Sequence, residues 1–381
     1  MERLHMNKKE ILEIRKLLAK ENTRISRICG CYVDGHKEKK TEFSQSFLTL
    51  PDAEQFKYSD IFRKALSGTI GKNVSTLEFP LEEELDGGRQ QLLLELRNSE
   101  IDDLDLLEHF YDKVIETYIH PENYLILLAY GVYDIPAKGK DQLDQFDASD
   151  YVYSFVLCTI CPVELSRPGL CYDAEHNAFA ARLQDWMVQL PEVGFLFPAF
   201  NDRNTDLHSL LYYSKNADML HSELTDELLG CRAPLPAKDQ KTGFNAVVEE
   251  IFDTDCDFEV AKEIHDSLHQ LLEEKKDDPE PLALEKTDIK NILANSGATE
   301  EQLAHFDEEY DSRTGNQESM MAANLANTRR FEVRTPDIVV QVSPDRTDLI
   351  ETRNLDGQDY LVIPMTDEIE VNGIRIHTKN I

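Results

Sequence analysis

Positive charge is the scarcest commodity in this chain. Forty Lys and Arg face 73 Asp and Glu, a formal net charge of -33 over 381 residues. Such a surface repels nucleic-acid phosphate and anionic lipid, so neither is an expected partner, whereas a protein, and in particular a basic one, is. No apolar run approaches the roughly 18 residues of a spanning helix, so no membrane association is expected. The opening Met1–Glu10 has neither an apolar stretch nor a small-residue cleavage site, which predicts a cytoplasmic protein. Helical periodicity starts only after Asn7, so Met6 reads as an alternative initiator.

Catalytic signatures are missing as well. There is no Gly-x-Ser-x-Gly, no phosphate-binding Gly-rich loop with Lys, no His-Glu-x-x-His and no dinucleotide fingerprint, so no reaction is fixed and the cofactor is unknown. Internal repeats and low-complexity tracts are also lacking. The single tryptophan, Trp186, is expected to be a packing anchor. Seven cysteines, an odd number, suit reduced thiols and not a disulfide framework.

What is present is a strong β signal. Tyr151 to Tyr213 carries successive segments rich in β-branched and aromatic residues, notably 151–161, 194–200 and 207–213, which read as the core of an antiparallel meander. Tyr124 to Tyr133 is apolar nearly throughout, as suits a central strand buried on both faces, with Pro136 and Lys138-Gly139 expected to end it and an acidic loop over 141–150 to follow. Asn7 can cap a helix to about Glu21, and 24–50 reads as a hairpin turning at Asp34-Gly35. Further helices are predicted over 51–66, 89–97 and 102–118, covering the sheet.

After Asn216 the character changes. From about Lys238 to Arg313 the pattern is helical and acidic, with nineteen carboxylates against five basic groups between Asp253 and Asp311. Apolar residues persist at helical spacing there, so the acidic face is a solvated one. The end returns to β, with a last hairpin pairing Ile369 with Ile376, Glu370 with Arg375 and Val371 with Ile374 about Asn372-Gly373. The fold class is therefore α+β: a largely antiparallel sheet with covering helices, an acidic helical region and a small C-terminal β unit. The corresponding domains are 1–235, 236–328 and 329–381.

Two constellations invite chemistry. Asn201 to His208 puts Asp202, Arg203, Asp206 and His208 at the end of an apolar strand, with Asp206 and His208 on one side by period-two alternation. Such a set would suit a divalent cation or a substrate carboxylate or phosphate, and equally a structural turn in which Arg203 pairs with Asp202 or Asp206. Cys158-x-x-Cys161 resembles a zinc or redox motif, but odd spacing on a strand sends the two thiols to opposite faces, which predicts buried thiols. One stretch runs against the global charge: Lys8 to Lys40 holds ten basic and five acidic residues. It reads either as a phosphate or acidic-partner contact or as a charged helix face plus a hairpin tip.

Cys161-Pro-Val163, Gly194-Phe-Leu-Phe-Pro-Ala-Phe200, Asp202-Arg203 with Asp206, Tyr212-Tyr213 and Val371-Asn-Gly373 together resemble a bacterial family known only as a conserved domain of unknown function. The resemblance spans about Met6 to Ile376. It implies a bacterial cytosolic protein and brings no activity, cofactor or partner. The function expected is that of a macromolecule-binding or regulatory interaction protein using its acidic surface. The alternative is a hydrolase or metal-assisted phosphate-handling enzyme working at 201–208.

Overall fold

The computed structural model describes residues 5–138, 144–315, 317–327, 329–365, 369–371 and 373–376. The chain divides into two units, Met1–Ala237 with Pro279–Pro281, and Lys238–Asp278 with Leu282–Ile381.

In the first unit the elements run α1 (Lys8–Leu17), β1 (Ile25–Val33), β2 (Lys39–Ser46), α2 (Asp52–Lys64), β3 (Val74–Glu78), α3 (Gln90–Asn98), α4 (Leu104–Thr117), β4 (Tyr124–Lys138) and β5 (Asp144–Leu165). Then follow β6 (Leu170–Asp173), β7 (Ala178–Ala181), β8 (Trp186–Val188), β9 (Val193–Phe197), β10 (Ala199–Asn201), β11 (Asn204–Asp206) and β12 (Ser209–Ser214). Asn7 caps α1 through a capping box: its side chain accepts from the Lys9 and Glu10 amides, and Glu10 reaches back to the Asn7 amide at 2.9 Å.

One antiparallel sheet of order β2-β1-β4-β5-β9-β12-β3 organises the unit, and β8 adds to β5. Side chains alternate between its faces, and both faces are covered. Cys29, Cys31, Ile126, Leu128, Val156, Cys158 and Phe195 pack with Leu93, Leu96, Phe110 and Val114 of α3 and α4. Ile28, Leu125, Leu127, Phe155, Leu157, Cys161 and Leu196 face the other way, against Ile11, Ile14 and Phe62 of α1 and α2. Burial on both faces is why the β4 sequence is continuously apolar.

Three expectations need correction. Pro136 does not end β4: pairing runs on to Lys138 opposite Asp144, and the register irregularities flank Pro136, so the missing N–H is absorbed at a bulge. Accordingly 144–150 is strand and not an acidic loop, while 141–143 lie outside the described residues. Most consequentially, 151–213 is not all core. The segment from Leu165 to Leu190 leaves the sheet as an exposed arm carrying β6 and β7 and returns to β5 through β8, and Trp186, 56% exposed, belongs to neither core.

The second unit contains α5 (Ala237–Phe252), α6 (Phe258–Glu274), β13 (Ala283–Glu285), α7 (Lys286–Asn295), α8 (Glu300–Leu303), α9 (Phe306–Thr314), β14 (Ser319–Met321) and α10 (Ala322–Leu325). Their apolar stripes meet in one core that includes Val247, Ile251, Leu268, Ile289, Leu293 and Phe306. Three two-stranded hairpins follow: β15 (Phe331–Arg334) with β16 (Val339–Val342), β17 (Glu351–Leu355) with β18 (Gln358–Val362), and β19 (Ile369–Val371) with β20 (Ile374–Ile376). The last has the register read from the sequence, Glu370 opposite Arg375 included, while Asn372 lies outside the described residues. Among the described residues no helix is long and apolar enough to cross a membrane.

Candidate functional site

Residues 201–208 form a small hairpin that hands the chain back to the sheet. β10 and β11 pair Asn201 with Asn204, and Asp202 and Arg203 make the two-residue turn with φ of 47° and 55°. Left-handed backbone at both central positions is the geometry of a tight hairpin turn whose twist matches its strands. The turn points both of its backbone N–H groups at one acceptor, the Glu10 carboxylate of α1, which also accepts from Asn7. Burial nevertheless dominates and raises the Glu10 pKa above the ordinary carboxylate value.

The four side chains singled out in the sequence do not converge. Asp202 is exposed and contributes its backbone to the Glu10 contact. Arg203 Nη2 donates to the Pro136 carbonyl at 3.2 Å, and Nη1 lies 3.5 Å from Glu13. Asp206 accepts from the Asn201 amide, the Ser209 hydroxyl and the His208 backbone N–H. His208 sits 2.8 Å from Glu84, which raises the imidazole pKa through that hydrogen bond and its charge. Asp206 and His208 do not share a strand, because β11 ends at Asp206, the chain turns through 207–208, and β12 opens at Ser209. The loop thus ties α1, β4 and the 84 segment to the sheet.

The cysteine motif resolves as spacing predicts. Cys158 belongs to one core and Cys161 to the other. Cys29 and Cys31 share the face of Cys158. All seven thiols are free, and burial pushes those of Cys31 and Cys161 up to about 12. Among the described residues, no three His, Cys, Asp or Glu groups are gathered to hold a metal ion.

The arm is the feature that sequence reasoning missed. It leaves the sheet after β5, where β8 pairs Val188 with Val163 and Trp186 with Leu165, and it carries the isolated β6–β7 hairpin. Nine large apolar side chains between Leu165 and Leu190 are exposed, among them Leu170, Tyr172, Phe179, Leu183 and Trp186. The same residues hold three carboxylates, Asp173, Glu175 and Asp185, against two guanidinium groups, Arg167 and Arg182, a balance of -1 in a chain of -33. An apolar, aromatic, charge-depleted surface has the composition of an interface centre. Strands of three or four residues, too short to cross a sheet of this depth, were the available signal.

Neither curated proteins nor solved structures offer a match to this chain. The family described as a domain of unknown function, DUF4317, matches residues 6–374, the span that holds the sheet, the 201–208 turn, the arm and the second unit, and the chain belongs to that family.

Proposed function

We propose that this is a cytosolic protein-binding protein that engages its partner through the arm at Leu165–Leu190. The supporting observation is the exposure of nine large apolar side chains, with the only tryptophan among them, on an otherwise strongly acidic molecule. Water-exposed apolar area costs about 25 cal/mol per Å² relative to burial, so a patch of this kind gains free energy when a partner covers it. Trp and Tyr are the residue types that concentrate binding energy at interface centres. The acidic helical region serves a second purpose, steering a partner whose contact surface has a basic rim and setting the salt dependence of association. The enzymatic alternative at 201–208 is the weaker reading, since the side chains of Arg203, Asp206 and His208 each engage a different partner.

Affinity capture of the full-length protein from its native cell, with mass spectrometry, tests this reading. Phe179→Ser with Trp186→Ser should release the specific partners while leaving thermal unfolding unchanged. Charge reversal of acidic residues between Asp253 and Asp311 should slow association and flatten its salt dependence. An unchanged set of partners in the arm variant would refute the arm as the contact.

A further inference from the structure

The one locally basic stretch of the sequence builds a cleft. Leu12, Arg15, Lys16 and Ala19 lie at helical spacing along α1 and just past its end, and with Asn22 and Arg63 they line a concavity of roughly 220 Å³. Four other cations of the same stretch are paired, Lys20 with Asp52, Arg27 with Asp102, Lys39 with Asp112 and Lys40 with Asp34. Arg15, Lys16 and Arg63 form no ion pair among the described residues. The Nε groups of both arginines are shielded from solvent and find no acceptor among the described residues.

A complementary role at helix ends explains part of this and not all of it. Arg15 and Lys16 lie in the last turn of α1 and Arg63 in that of α2, where cations offset the negative end of the helix dipole. Each helix end carries only about half an elementary charge, so three cations leave roughly two positive charges uncompensated. Dipole compensation also works from exposed positions and gives no reason to bury two guanidinium N–H donors. Buried donors call for an acceptor, and the acceptor that satisfies two guanidinium forks and an ammonium together is a tetrahedral oxyanion.

We propose that this cleft binds a phosphate group, with Arg15 and Arg63 as bidentate donors, Lys16 as the neutralising charge and Asn22 as a neutral donor at the rim. Leu12 and Ala19 provide an apolar wall for a carbon moiety carrying the phosphate, such as that of a small phosphate monoester. This site is independent of the arm, which lies in a different part of the first unit's sequence and uses apolar contact.

The test is titration of the full-length protein at low ionic strength with inorganic phosphate and with pyrophosphate, followed by calorimetry. Phosphatidylcholine vesicles with and without phosphatidic acid form a parallel arm. The expected result is saturable one-site binding that Arg15→Gln or Arg63→Gln weakens by about tenfold or more, as loss of a bidentate charged contact should. Lys40→Gln, an exposed charge change elsewhere, should leave it intact. Arg15→Lys with Arg63→Lys keeps the charge and loses the forks, so its affinity should fall between wild type and the glutamine variants. It also carries the test if a melting curve shows that a glutamine variant unfolds. Binding to free phosphate assigns a soluble ligand, and arginine-dependent binding to phosphatidic acid vesicles alone assigns a lipid headgroup to the same site. Absence of binding in both arms, or equal affinity in wild type and the arginine variants, overturns the proposal.

Discussion

The central sheet and the arm that leaves it at Leu165 are written with the same residues and meet opposite fates. In β5, Phe155 and Leu157 are fully buried, because α1 and α2 cover one face while α3 and α4 cover the other. In the arm, Phe179 and Leu183 have neither helix nor sheet over them and are 74% and 85% exposed. β-propensity chose the backbone conformation in both places, and coverage by distant helices decided which became core. An apolar strand without a cover stays exposed.

Substitution measures that contrast most directly. Phe155→Ala, which removes a ring stacked on Tyr153 with centroids 5.5 Å apart, should cost about 3–5 kcal/mol in urea unfolding. Phe179→Ala should cost less than about 0.5 kcal/mol. Equal losses at the two sites would erase the distinction between them.

Backbone packing inside the sheet gives the next largest effect. A Cβ at Gly194 would sit 2.7 Å from the Cys158 carbonyl oxygen, so Gly194→Ala should destabilise by about 1–3 kcal/mol by the same assay. Gly169, in the arm, has nothing within 4 Å of its Cβ position, and Gly169→Ala should be close to neutral.

A third test extends the comparison to the second unit, where β15 rests on α6. His265 packs against Phe331 at 4.8 Å, both its ring nitrogens lack hydrogen-bond partners among the described residues, and burial lowers its pKa below 6.5. A depressed histidine pKa favours the folded form above 6.5, and that contribution is lost as pH falls from 6.5 through the lowered value. Amide protection factors across Phe331–Arg334, corrected for the intrinsic pH dependence of exchange, should therefore fall as pH drops from about 7.5 to 5, and His265→Phe should remove the dependence.

The smallest effect belongs to the exposed His208–Glu84 pair. Its imidazole should titrate above 6.5 by NMR and return toward 6.5 in Glu84→Gln. The sign is opposite to that of His265: the pair's contribution is complete below 6.5 and fades as pH rises through the raised value. A His208 pKa that ignores Glu84 would remove this tie between the 84 segment and the sheet.

Much of the fold could be read from the sequence because periodicity reports burial. The unbroken apolar run of β4 means two covered faces, Cys158 and Cys161 part because strands alternate, and Ile369 to Ile376 pair as a tight turn dictates. Coverage is a tertiary property, and for that reason Trp186 and the whole arm were misplaced in the core. The alternation argument at 201–208 failed for a related reason. Alternation places Asp206 beside His208 only if one strand continues through both, and the chain breaks at 207–208. The group that receives the Asp202 and Arg203 amides, Glu10, lies far upstream, and nothing in the local sequence announces it. The basic stretch of Lys8 to Lys40 was legible as charge, but Arg63, which completes the cleft, comes from a helix outside it.

The order β2-β1-β4-β5-β9-β12-β3 has a bearing on how the protein is made. β3 ends at Glu78, yet its only strand partner among the described residues, β12, begins at Ser209. At a synthesis rate of about 5–20 residues per second, β3 waits roughly 7–26 seconds for that partner to be made. Ser75 and Thr76 lie in its middle and make the waiting edge a polar one, a poor template for pairing with another nascent chain. The strand that closes the sheet is thus the one best able to be left alone until the end.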